Sequence, residues 1–240
     1  MKRCFIFVVF LSLVFGHNPD TEFPNWKQYF RLGAVQTETS SPPGFASYVR
    51  LNRTTPSIFQ DVRFYGHFFK DNQEIRVRQK TSRHFMSFDW LYSFNTLIYE
   101  KNTFIDVNLR YHFNQGFGWL IRNSEGGNMT AELGIAFDNS DYLNTNRKTS
   151  YARSGFTIDK KMGQFETKIE MDYFHQVSKQ VDNTDLSRIK LVAETHWPIK
   201  KGCAFIIGFT EDFLKDESFK IENPSVFLTF SFKQALNWTF

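Results

Sequence analysis

In several stretches of this chain every second residue is charged and the residues between are not. Glu166, Lys168, Glu170 and Asp172 alternate with Phe165, Thr167, Ile169 and Met171. Asp61 and Arg63, Asp106 and Arg110, Glu132, and then Arg188, Lys190 and Glu194 sit in the same kind of pattern. Both signs are well represented, which suits ion pairing, because unpaired charges gathered away from water are costly. If these side chains share one enclosed face, Asp106, Arg110, Glu132, Arg188, Lys190 and Glu194 are the candidates to line a polar conduit or binding cavity. The plainer expectation is a network of ion pairs that fills the space.

Catalysis has little to build on. His67, His112, His175 and His196 lie on separate stretches, three of them flanked by aromatic residues. No Gly-x-Ser-x-Gly elbow, no His-Glu-x-x-His helix and no paired-cysteine metal site occurs. No catalytic residue, metal ligand or cofactor is therefore assigned. A hydrolase assembled from distant strand-end Ser, His and acidic residues stays open as an alternative, since such a site leaves no local motif. The formal charge of +4, +2 without Lys2 and Arg3, is too small to argue for nucleic acid.

The elements that must position these residues are strands. A period of two means an extended segment with one apolar and one polar face. The stretch TFIDVNLRYHFNQGFGWLI reads as one long strand, with Ile105, Val107, Leu109, Tyr111, Phe113, Phe117, Trp119 and Ile121 on the greasy face. In FMSFDWLYSFNTLI the greasy set is Met86, Phe88, Trp90, Tyr92, Phe94 and Ile98, against Ser87, Asp89, Ser93 and Asn95. Turn signals such as SSPPG, SEGGN, KKMG and PIKKG separate the runs. The spacing predicts about twelve strands, at 27–38, 44–54, 57–70, 73–80, 84–99, 103–121, 128–141, 148–159, 164–178, 186–198, 203–214 and 225–240. The apolar parity slips around Arg78–Arg83. With 29 phenylalanines and 18% aromatic residues in 240, the composition favours sheet.

Lys2 and Arg3 followed by apolar residues from Phe5 to Phe15 have the form of a secretory signal over 1–16, with 17–26 a short segment before the domain at 27–240. Removing the signal leaves Cys203 alone, so the mature chain has no internal disulfide. Alternation by itself does not say which face is inside. A soluble exported sandwich or ligand-binding barrel puts the apolar face inward; a membrane barrel puts it outward, with no free edge in hydrocarbon. Strands of about 9–11 residues or more, tryptophans near the ends of apolar tracks (Trp119, Trp197, Trp238) and the absent disulfide favour the second. So does the tail, in which Val226, Leu228, Phe230, Phe232, Leu236, Trp238 and Phe240 share one parity. The expected fold is all-β: a closed antiparallel up-and-down transmembrane barrel. The tail is similar to the last strand of bacterial outer-membrane proteins, which implies recognition by the barrel-assembly machinery through the strand ending at Phe240, with membrane lipid as the other partner.

From about Phe30 to Phe232 the chain resembles the salt-stress-induced outer-membrane protein family of bacteria, a group without an assigned activity. The likeness lies in the EKN turn, the long strand with Arg110 and Gly116-x-Gly118, the SEGGN turn, Glu132-Leu-Gly134, and ARSGF with Arg153. The first hairpin departs from the family, with TETSSPPGF in place of a Ser-Gly-Asn-Thr-like turn. The resemblance implies a small outer-membrane barrel linked to osmotic or salt stress, and it brings no active site. The expected work of such a barrel here is that of a narrow passive pore or a structural envelope protein.

Overall fold

The computed structural model describes residues 26–38, 42–85, 88–105, 107–141, 147–179, 185–200, 202–215 and 224–235. The signal segment, Asp106, Trp238 and Phe240 lie outside the described residues. Twelve strands follow one another: β1 (Lys27–Thr37), β2 (Gly44–Thr54), β3 (Ile58–Phe68), β4 (Gln73–Phe85), β5 (Phe88–Asn102), β6 (Val107–Ser124), β7 (Gly127–Ser140), β8 (Arg147–Met162), β9 (Phe165–Gln176), β10 (Arg188–Lys200), β11 (Cys203–Leu214) and β12 (Ser225–Ala235). Each pairs antiparallel with its neighbours in sequence, and β1 pairs with β12 from Lys27↔Ala235 to Thr37↔Ser225. The result is a closed up-and-down barrel with no free edge among its strands. No helix of the described chain is long and apolar enough to cross a membrane; a barrel crosses with strands instead.

The two ends differ. At the end where β1 begins and β12 ends the hairpins turn in two or three residues, while at the other end four to eleven residues connect the strands. This asymmetry of short turns and longer loops is usual in membrane barrels. Gly163 and Gly202 close two of the tight turns with φ of 61° and 79°, a conformation that side chains bearing a Cβ disfavour.

The faces sort as a membrane barrel requires. Leu32, Ile169, Ile207, Leu228 and Phe230 point outward and are exposed, and every strand carries at least one exposed large apolar residue. Arg31, Asp61, Glu100, Arg110, Glu132, Arg153 and Arg188 point inward and are buried. The soluble alternative needed the opposite arrangement. Toward the short-turn end the outer wall carries packed rings: Trp197 meets Phe165 edge-on at 5.4 Å, Trp90 meets Phe88 at 5.6 Å and Phe117 meets Phe85 at 6.0 Å. Such rings suit an interface between hydrocarbon and water.

Three expectations are corrected. The stretch from Thr103 is not one strand: Thr103–Ile105 form a 3-10 turn, β6 starts at Val107, and the register against β5 shifts between Glu100 and Asn102. That bulge turns Val107 inward, fully buried, while Leu109, Tyr111 and Phe117 face out. On β5 the greasy set is the inner one from Tyr92 on. Tyr92 and Phe94 are buried in the lumen, and Ser93 and Asn95 lie on the outer wall. Their neighbours explain the inversion. Tyr92 pairs with Gly118, and its ring occupies the space that a side chain at Gly118 would take. Phe227 lies across Gly208 of β11 in the same way. The parity slip expected near Arg78–Arg83 does not occur, because β4 keeps Glu74, Arg76, Arg78, Lys80 and Ser82 on the inner face throughout.

Candidate functional site

The lumen is the one place where charged side chains from all sides of the barrel converge, and its rungs follow directly from strand parity. β4 supplies Glu74, Arg76, Arg78 and Lys80; β9, on the far side of the ring, supplies Lys168, Glu170 and Asp172. Arg63 of β3 donates across the lumen to Glu170 at 3.0 Å, although five strands separate β3 from β9 in either direction. Lys168 also meets Glu170, at 2.6 Å, and Arg78 stands 3.9 Å away. Asp61, without solvent exposure, lies between the guanidiniums of Arg50 and Arg63.

A second crossing joins β10 to β4. Lys190 reaches Asp212 at 3.2 Å and Glu74 at 3.9 Å, and the Tyr65 hydroxyl donates to Glu74 at 3.3 Å. Toward the long loops, Glu100 takes Arg76 at 2.9 Å and Arg110 at 3.7 Å. Asp138 stands 3.4 Å from both Arg110 and Arg188. Nearer the short turns, Glu132 accepts from Lys80, from the Tyr92 hydroxyl at 2.9 Å and from Arg153 at 3.0 Å. Glu194 pairs with Arg31 at 2.7 Å and lies 3.1 Å from His196.

Rings inside the lumen carry guanidiniums on their faces. Arg188 lies 4.7 Å over Phe174 and 5.0 Å over Tyr151, Arg31 lies 4.3 Å over Tyr48, and Arg153 lies 5.2 Å over Phe94. A cation held over a π face is stabilised most where water is scarce. These stacks leave a cavity of about 100 Å³ at mid-barrel, room for a few waters. Around it stand eight side-chain cations and five carboxylates, an excess of positive charge. Several lining groups face it with hydrogen-bonding capacity unused, among them Nε of Arg31, Arg76 and Arg153 and both ring nitrogens of His112. They need water or a polar solute.

Of the residues singled out from sequence, Arg110, Glu132, Arg188, Lys190 and Glu194 all point into the lumen, in four clusters rather than one. Glu166 sits exposed near the short-turn rim. Glu74, Arg76, Arg78 and Lys80 escaped notice, although their strict alternation in QEIRVRQK was there to read. The histidines do not converge: His112 is buried in the lumen against Phe174 at 5.0 Å, His196 sits beside Glu194, and His175 faces outward beside Tyr173. Among the described residues no group of three His, Cys, Asp or Glu side chains is placed to hold a metal ion.

No protein-family model and no curated protein sequence matches the chain. Solved structures do. The NanC porin superposes with a TM-score of 0.57 at 9% identity, over 85% of this chain and 100% of that one. The translocator domain of the autotransporter NalP from Neisseria meningitidis gives 0.51 at 10% identity, over 95% and 93%. The KdgM porin in complex with disordered oligogalacturonate gives 0.51 at 6% identity, over 86% and 98%. The fold is thus that of outer-membrane β-barrels.

Proposed function

We propose that this chain resides in a bacterial outer membrane and works as a narrow passive pore, with no catalytic role. The observation that supports this most is the inversion of faces: an apolar outer wall around a lumen where charged side chains and the rings beneath them gather. Transit proceeds past cross-lumen ion pairs, so only small solutes pass. Cations outnumber carboxylates among the groups nearest the central cavity, while Asp61, Glu132, Asp138 and Asp212 balance four of them from behind, so a weak preference for anions is expected. Two of the structural relatives carry porin in their names, which agrees with this reading.

The rest of the proposal comes from the sequence. The apolar segment at 1–16 directs export, and the strand ending at Phe240 addresses the barrel-assembly machinery. The link to salt stress rests on family resemblance alone; deletion of the gene should slow growth after an osmotic upshift. The pore itself is tested in planar bilayers. The purified protein should give a small conductance whose reversal potential in a salt gradient favours the anion. Conductance no higher than that of the bare bilayer removes the pore and leaves a structural barrel.

A further inference from the structure

At mid-depth the outer wall is mostly apolar, with small hydroxyls at Ser154 of β8 and Thr195 of β10, and across β4–β6 it carries carboxamides. Gln79 is the seventh of thirteen residues in β4, Asn95 the eighth of fifteen in β5 and Gln115 the ninth of eighteen in β6. All three therefore sit halfway along their strands, where the hydrocarbon is deepest. They face out: all are exposed, while Lys80, Thr96 and Asn114 beside them turn to the lumen. Thr81, Asn95 and Gln115 stand directly opposite one another in the register, with Gln79 one step diagonal. The same depth elsewhere carries Leu32, Ile169, Ile207 and Leu228.

A carboxamide holds two donors and an acceptor oxygen with two lone pairs, and among the described residues none of these three side chains has a hydrogen-bond partner. Lipid chains offer them nothing, and a polar group unbonded in hydrocarbon is costly. Toward the long loops the same wall is concave by about 670 Å³ and lined by Leu97, Tyr111, Phe113 and Phe137. An acyl chain fills that hollow but leaves the amides unbonded.

We propose that the Gln79–Asn95–Gln115 stripe is the contact between two copies of this chain lying side by side in the membrane. Three features select a second copy as the occupant. Two barrels inserted in the same sense are related by an axis along the membrane normal, which sets each residue at its own depth in the partner. Carboxamides are self-complementary, so an identical stripe supplies every donor with an acceptor. The stripe is neutral, so nothing repels its copy. The contact depends on membrane insertion and not on whether the lumen conducts, so a protein that carries no current can still form it.

Two measurements test this on the full-length protein in phosphatidylcholine vesicles. Photobleaching step counts should show two-step particles for the natural sequence. The variant Gln79→Leu, Asn95→Leu, Gln115→Leu should weaken association about tenfold, as expected for a few hydrogen bonds in lipid, with the unchanged gel mobility shift on heating showing that the barrel is intact. In a Cys4→Ser, Cys203→Ser background, Gln115→Cys should form an oxidised dimer and Ile207→Cys, on the far wall, should not. A natural sequence that is monomeric at all densities, equal association of the triple variant, or equal crosslinking from both walls overturns the proposal.

Discussion

Strands β9 and β5 have the same alternation and opposite orientations. On β9 the sequence sorts itself: Lys168, Glu170 and Asp172 enter the lumen while Ile169 and Met171 meet lipid. On β5 the rings of Tyr92 and Phe94 enter the lumen and Ser93 and Asn95 stay outside. The difference lies in what the neighbouring strands offer. Gly118 leaves room for the Tyr92 ring, and Lys80 and Arg153 both approach the Phe94 face at 5.2 Å. Period two identifies a two-faced strand; which face is inner is settled by its neighbours.

The sharpest way to break this comparison is Phe94→Ala. Phe94 is 1% exposed, so truncation should leave a cavity and destabilise the barrel by about 3–5 kcal/mol, measured by denaturant unfolding in vesicles. A ring facing lipid would lose far less, because lipid refills the gap. The corresponding probe on β9 is Met171→Arg, which sets a charge in mid-wall and should cost about 2–4 kcal/mol. Glu170→Gln, on the inner face of the same strand, removes the carboxylate beside Lys168 and leaves Arg63 with Asp61 alone, and should cost about 1–3 kcal/mol in the same assay.

The smallest effect belongs to the loops. Asp185 lies between β9 and β10; partial burial acts to raise its carboxyl, but hydrogen bonds from Lys215 and Ser187 outweigh this and bring it down to about 2. A depressed carboxyl contributes stability above its ordinary value of 3.8 and loses it as pH falls toward 2. Amide protection in this loop should therefore hold down to about pH 4 and decline below it, and Lys215→Ala should flatten the decline in hydrogen exchange.

Much of the fold was legible because burial on one face imposes strict alternation. β2 and β11 begin and end where the pattern says, and Arg110, Glu132, Arg188, Lys190 and Glu194 stand in the lumen once the polar face is taken as the inner one. What escaped depends on contacts between strands. The bulge that turns Val107 inward is a register event between β5 and β6. Phe174 and Phe227 enter the lumen because Arg188 and Arg31 lie over their rings. Neither cause is local in sequence. The pairing of Arg63 with Glu170 was out of reach for the same reason, since 107 residues separate the two.

The central claim, grease outward and ions inward, is tested most directly by spin labels on single cysteines in a Cys203→Ser background, in vesicles. Labels at 169, 171 and 228 should collide with dissolved oxygen, which concentrates in lipid, and be shielded from a water-borne nickel chelate. Labels at 168, 170 and 229 should be shielded from the oxygen of the lipid phase. If instead 169, 171 and 228 are silent to oxygen while 168 and 170 meet the nickel chelate freely as an outer skin does, the barrel is inside out relative to this account.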